Sequence, residues 1–250
     1  MYTPHSTKPN KMKSQALVLL TRKYNDEAII AEMLTSQAGC VAFWIRTSKS
    51  KRTAIPRALL QPLALLEVEW NEKPSAQLQK PKAVQNLFPF TSIPFNSHKT
   101  AICLFLSEFL HHAIKNEPDT TTIFQFCAQS LQWLDTCQTG FANFHLVFLL
   151  RLTRFLGFAP NIEHFQPGHY FDLQASCFSP TKPTHNNFLE PQDAQLLPQL
   201  LRMKYANMHL FRFNGTARSQ LLAHILTYYR LHIPGFQELN SPQIMRLLFA

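Results

Sequence analysis

The stretch Leu63-Ala64-Leu65-Leu66-Glu67-Val68-Glu69-Trp70 decides the fold of the first third of the chain. Leu66, Val68 and Trp70 fall on one face and Glu67, Glu69 and Asn71 on the other, which is the two-residue period of a half-buried strand. Working outward, residues 16–20, 28–34 and 41–45 are short apolar runs rich in Val, Ile and aromatics. Tyr24-Asn25-Asp26 and Ser36-Gln37-Ala38-Gly39 separate them with turn chemistry. Residues 77–84 supply a candidate fifth strand. Five short strands, with no long helix between the first three, predict a small closed or nearly closed barrel. A plain antiparallel sheet is the alternative.

The period changes after a Pro-marked segment running from Pro81 to Phe95. Apolar residues then recur every three or four positions over 99–115 and 121–137, and residues 142–156 are apolar nearly all round, ending at Gly157. Such a helix belongs at the buried centre of a bundle. Further helices are predicted over 193–205, 216–231 and 241–249, with an irregular excursion at 158–191 interrupted by five prolines. The expected class is α+β, with a first domain over 1–82 and a mostly helical one over 83–250.

Composition narrows the function. The 250 residues are 46% hydrophobic with 21 Phe, so the chain is globular. Its six glycines include none closer than the eleven-residue spacing of Gly157 and Gly168, which excludes the glycine-rich nucleotide loops and the G-x-S-x-G elbow. The five cysteines contain no C-x-x-C pair and suit a reducing cytoplasm. The apolar run at 16–20 is too short for a signal peptide, and no stretch approaches a membrane span.

The formal net charge of +9 is unevenly spread. Residues 1–80 hold 12 Lys+Arg against 6 acids, and no Asp or Glu lies between Met33 and Leu66. Arg46, Lys49, Lys51, Arg52 and Arg57 fall in that window, directly after Phe43 and Trp44. Cations beside aromatics suit single-stranded nucleic acid, with phosphates meeting the charges and bases stacking on rings. Arg22 and Lys23 on an earlier strand connection are added as phosphate contacts, and Trp44 as a stacking candidate. The alternative is a lysine-solvated loop on a protein-interaction scaffold. His164, His169, Cys177 and His185 offer a weak zinc pattern, because only His164 and His169 have a usual ligand spacing. Arg151 and Arg154 on the apolar 142–156 segment either meet internal acids such as Glu108 or Asp135, or bind an anion. With Phe148 they form a candidate receptor for an acidic peptide tail.

The blocks Ala58-Leu-Leu-Gln-Pro-Leu-Ala-Leu-Leu-Glu-Val-Glu69, Pro89-Phe-Thr-Ser-Ile-Pro-Phe95, Ala142-Asn-Phe-His-Leu-Val-Phe-Leu-Leu150 and Leu226-Thr-Tyr-Tyr-Arg-Leu-His-Ile-Pro-Gly235 resemble the RecO family of bacterial recombination mediators, in its Bacteroides-like form. The resemblance implies an amino-terminal OB-fold barrel and a carboxy-terminal helical domain carrying an irregular remnant of a zinc-ribbon module. The family's Cys₄ set is reduced here to Cys177, so no metal or other cofactor is expected. It also implies a non-enzymatic, cytoplasmic, nucleoid-associated protein that binds single- and double-stranded DNA and anneals strands. Its implied partners are RecR, the acidic tail of single-stranded DNA-binding protein and, indirectly, RecA; no membrane is expected among them.

Overall fold

The computed structural model describes residues 10–47, 55–115, 117 and 120–243. They form two compact units, one made of the chain through Phe90 with Ile114–Ala128, the other of Thr91–Ala113 with the chain from Gln129 onward. The architecture is α+β.

The first unit is built on an antiparallel sheet of β1 (Lys11–Lys23), β2 (Ala28–Thr35), β3 (Gly39–Arg46), β4 (Leu65–Asn71) and β5 (Pro81–Phe88), in the order β3-β2-β1-β4-β5. The long β1 serves two neighbours, pairing Lys11–Leu17 with β4 and Ala16–Lys23 with β2. Its ladder to β2 is irregular between Val18 and Leu20. There the Leu63 N–H donates to the Val18 carbonyl at 2.8 Å. Leu63 sits at φ 58° and is fully buried; burial and that hydrogen bond hold a left-handed conformation that costs a non-glycine residue roughly 1–2 kcal/mol. The β2–β3 hairpin turns through Gly39 at φ 67°, with Thr35 Oγ1 accepting from the Ala38 N–H at 2.9 Å.

β4 follows its alternation. Leu66, Val68 and Trp70 enter a core with Val18, Ile29, Met33, Phe43 and Ile45, where the Phe43 and Trp70 rings meet edge to face at 5.3 Å. Glu67 and Glu69 stay on the other face, 2.8 and 3.7 Å from the Nζ atoms of Lys13 and Lys11. The fifth strand lies later than expected, at 81–88 rather than 77–84. Residues 77–80 instead reach β3 by one parallel bridge, in which Trp44 N–H donates to Gln79 O and Gln79 N–H to Ala42 O, both at 2.9 Å. The expected barrel is therefore a sheet whose edges touch at a single bridge. Pro81 has no N–H to extend that ladder; the Gln79 side chain turns back, its Nε2 donating to the carbonyls of Lys73 and Ala76 at 2.9 Å.

In the second unit, α1 (Ser97–Ala113) and α3 (Phe144–Phe155) are the helices richest in buried apolar side chains, whereas α2 (Thr121–Thr136) contributes residues to both units. The first two turns of α3, Phe144 through Leu150, are buried on all sides, His145 included, and the chain turns at Gly157, φ 80°. The segment expected to be irregular contains a small sheet of β6 (Tyr170–Asp172), β7 (Cys177–Ser179) and β8 (Phe188–Leu189) in the order β7-β6-β8. Phe171 and Phe178 pack at 5.0 Å in its core, and Tyr170 meets Phe188 at 5.7 Å. The single helix expected over 193–205 is two, α4 (Pro191–Ala194) and α5 (Leu197–Arg202), separated by a turn at Gln195-Leu196; Pro198 lies in the first turn of the second, where its missing N–H is tolerated. α6 (Gly215–His232) closes the unit, capped by Asn214, whose Oδ1 accepts from the Ala217 N–H at 2.8 Å. The predicted helix over 241–249 lies largely outside the described residues.

Candidate nucleic-acid interface

Strand alternation decides what β3 shows to solvent. Phe43 and Ile45 are completely buried, so Trp44 and Arg46 project from the opposite face. Registers carry that face across the sheet: Trp44 lies opposite Ile30, and Ile30 opposite Arg22. Arg22, Ile30 and Trp44 thus form one row over three strands. Lys80, which follows the bridge at Gln79, places Nζ 5.1 Å from the centre of the Trp44 ring.

The residues on either side of the basic segment 48–54 meet beside this face: the Ile55 N–H donates to Arg46 O at 3.0 Å, and the Thr47 N–H to Glu27 O at 2.8 Å. Lys49, Lys51 and Arg52 lie in that segment, outside the described residues. Arg57, exposed just beyond, donates from Nε to Thr47 Oγ1 at 3.2 Å. The structure therefore brings Arg22, Trp44, Arg46 and Arg57 onto or beside one face. Lys23, the last residue of β1, lies 2.6 Å from Asp26 in the turn that follows.

Two of these cations already have acidic partners. Arg22 pairs with Glu32 and Arg46 with Glu27, the latter at 3.1 Å. Exposed ion pairs are worth only about 0–1 kcal/mol, so a phosphate can displace either carboxylate at small cost. Reading the sequence did not find Lys80, whose position depends on the non-local bridge, nor Glu27 and Glu32 as partners. The register of β1 and β2 was the signal for Arg22 with Glu32.

In the helical unit, Phe148 is fully buried and reaches no surface, whereas Arg151 and Arg154 are exposed. Neither of the acids considered for them is available. The Glu108 carboxylate accepts from the Asn240 and Ser241 N–H groups, each at 2.8 Å. Asp135 accepts from the N–H groups of Thr91, Ser92 and Ile93 at 2.8–2.9 Å. Burial pushes both carboxyls up, but the hydrogen bonds outweigh it and hold them below their usual range. Arg151 instead lies over the Tyr205 ring, 5.4 Å from its centre.

The residues present do not fit a four-ligand zinc site. His185 Nε2 lies 3.2 Å from Asp172 Oδ2, and among the described residues no three His, Cys, Asp or Glu side chains converge to hold a metal. Apolar packing of Phe165, Phe171 and Phe178 holds the small sheet instead. No helix among the described residues is long and apolar enough to cross a membrane.

The family described as Recombination protein O N terminal matches residues 10–90, and Recombination protein O C terminal matches residues 94–241. DNA repair protein RecO of Bacteroides fragilis is 44% identical over 95% of this chain and 98% of its own length. Proteins of the same name from Phocaeicola vulgatus and Flavobacterium psychrophilum are 37% and 31% identical, over 95% and 96% of this chain and 99% and 100% of their own.

Proposed function

This chain belongs to the RecO family of DNA repair proteins, and from that premise we propose that it is a non-enzymatic recombination mediator acting directly on DNA. It binds single- and double-stranded DNA, anneals complementary strands and, with RecR, helps RecA load onto DNA covered by single-stranded DNA-binding protein, whose acidic tail it contacts. It works in the cytoplasm, at the nucleoid. Residues 1–82 supply the principal nucleic-acid-binding domain in this reading, and 83–250 the helical domain.

One observation carries the DNA reading: Trp44 projects from the sheet in a row with Arg22, capped by Lys80, next to the start of the basic sequence Arg46-Thr-Ser-Lys-Ser-Lys-Arg52. Cations at the rim meet phosphates while a ring accepts a base. The pairing of Arg22 and Arg46 with glutamates favours a second reading, a protein-interaction scaffold whose basic loop only adds solubility. Titrating the full chain with a labelled single-stranded oligonucleotide at two salt concentrations separates them. A DNA-binding protein gives affinity that falls steeply with salt, by roughly 0.7 log units per phosphate contact for each decade. A scaffold gives weak binding with no such slope.

A further inference from the structure

Some cations of each unit are paired with carboxylates, Lys182 with Glu190 in the second unit among them, and others are not. In the first, Lys11, Lys13, Arg22, Lys23 and Arg46 each lie within ion-pair distance of a carboxylate. In the second, Arg151, Arg154, Arg202 and Lys204 are exposed, and none makes an ion pair with another described residue. The sequence around these four is acid-free: no Asp or Glu occurs between Asp135 and Glu163, nor between Asp193 and Glu238.

One of these cations, Arg151, lies over a ring, that of Tyr205, and two others, Arg202 and Lys204, lie within three residues of that ring in sequence. α5 packs on α3, and Arg202 is its last residue. Tyr205 follows three positions later and lies under Arg151, with Arg154 one helical turn further along α3. The Tyr205 hydroxyl donates to Ser130 Oγ at 2.8 Å, and its ring stacks on Trp133 at 5.1 Å and 25°. The ring is thus fixed in place and half exposed. A guanidinium lying on a ring keeps its N–H edges free for phosphate oxygens.

We propose that this face of the helical unit is a second, independent nucleic-acid-binding surface, so that one chain holds two DNA segments at once. The proposal rests on the DNA-binding reading above and deepens it. Bringing complementary strands together requires two grips, and the sheet face supplies one. An acidic peptide ending in an aromatic residue is the competing ligand for the same arginines. It needs a ring-sized apolar pocket beside the cation, but Phe144 and Phe148 are completely buried, which leaves Phe155 as the exposed aromatic side chain of α3. Arg151 lies on a flat ring, Phe155 is exposed next to Arg154 in sequence, and Arg202 and Lys204 lie within three residues of that ring; cations interleaved with rings suit a backbone of repeated phosphates.

The test compares three variants of the full chain: Arg151→Glu with Arg154→Glu, Arg202→Gln with Lys204→Gln, and, on the sheet, Trp44→Ala with Lys49→Ala and Lys51→Ala. Melting curves establish that each folds; the glutamine pair replaces exposed side chains only and is the safeguard if the charge reversal is unstable. Wild type binds two short single-stranded oligonucleotides per chain at low salt. Each helical variant binds one, and the charge reversal slows annealing of complementary oligonucleotides at least tenfold. The sheet variant loses the other equivalent. Folded helical variants that keep two equivalents and the wild-type annealing rate overturn the proposal. So does a charge reversal that abolishes binding of an acidic, Phe-ended peptide while DNA binding stays intact. If the sheet variant removes all DNA binding and the helical variants none, this inference falls alone. If wild type binds no oligonucleotide, the DNA-binding reading falls with it.

Discussion

At the scale of single residues, Asp135 is the side chain on which the most structure hangs. Its carboxylate takes three backbone N–H groups and the Thr91 hydroxyl from the residues leading into α1. Lys99 braces the same corner, buried, with Nζ donating to Asp135 O at 3.1 Å, Cys137 O at 2.6 Å and Ser92 Oγ at 2.6 Å. Replacing Asp135 by Asn leaves an acceptor but removes the charge and turns half the group into a donor facing N–H groups; we expect a cost of about 3 kcal/mol or more at neutral pH. The pH dependence follows from the depressed carboxyl. Its contribution is complete above the ordinary value of 3.8 and is lost as pH falls through the lower folded value. Denaturant curves should therefore show wild type and Asp135→Asn far apart at pH 7 and converging below about pH 4; a gap that persists in acid contradicts the assignment. Glu108 loses its contribution in the same acid range, so the variant flattens the acid limb without abolishing it. None of this was legible in the sequence, because the partners of Asp135 lie 42–44 residues away and no local pattern marks them.

Single elements divide by how much of their environment is local. β4 could be read residue by residue, since its two faces meet a core and solvent and the alternation records both. α3 was equally plain over Phe144–Leu150, where its apolar circumference matches burial on all sides. β6, β7 and β8 were not, because strands of two or three residues are too short for a period to register. The Phe content of that segment was the usable signal. Its sheet rests on Phe171 and Phe178, and is tied to α6 by Tyr228 donating to Phe158 O at 2.6 Å and by His232 Nε2 at 2.9 Å from Leu173 O. Phe171→Ala should lower stability by about 3–5 kcal/mol, measured by urea unfolding. If apolar packing has replaced metal, purified protein holds well under one zinc per chain and chelator leaves its melting temperature unchanged. Stoichiometric zinc retained through dialysis against chelator would show that a site exists.

For the molecule as a whole, charge is the property that joins sequence to function. The acid-free stretch before Leu66 was visible at once, and the structure puts Arg46 and Arg57 on either side of its basic segment 48–54. The carboxylates that answer Arg22 and Arg46 come from β2 and the turn before it, and only pairing registers reveal them. Tyr205 went unnoticed because its importance depends on Arg151, 54 positions earlier. Trp44 is a direct handle on base stacking: Trp44→Ala should weaken single-strand binding by about 1–3 kcal/mol without changing the salt slope, since it removes a ring and no cation. The most direct test of DNA binding through the sheet unit is the salt slope of a triple variant, Lys49→Ala, Lys51→Ala and Arg52→Ala, titrated with single-stranded DNA beside wild type. The account predicts an unchanged melting temperature and a log–log slope shallower by about two units; an unchanged slope in the folded variant would place the DNA elsewhere.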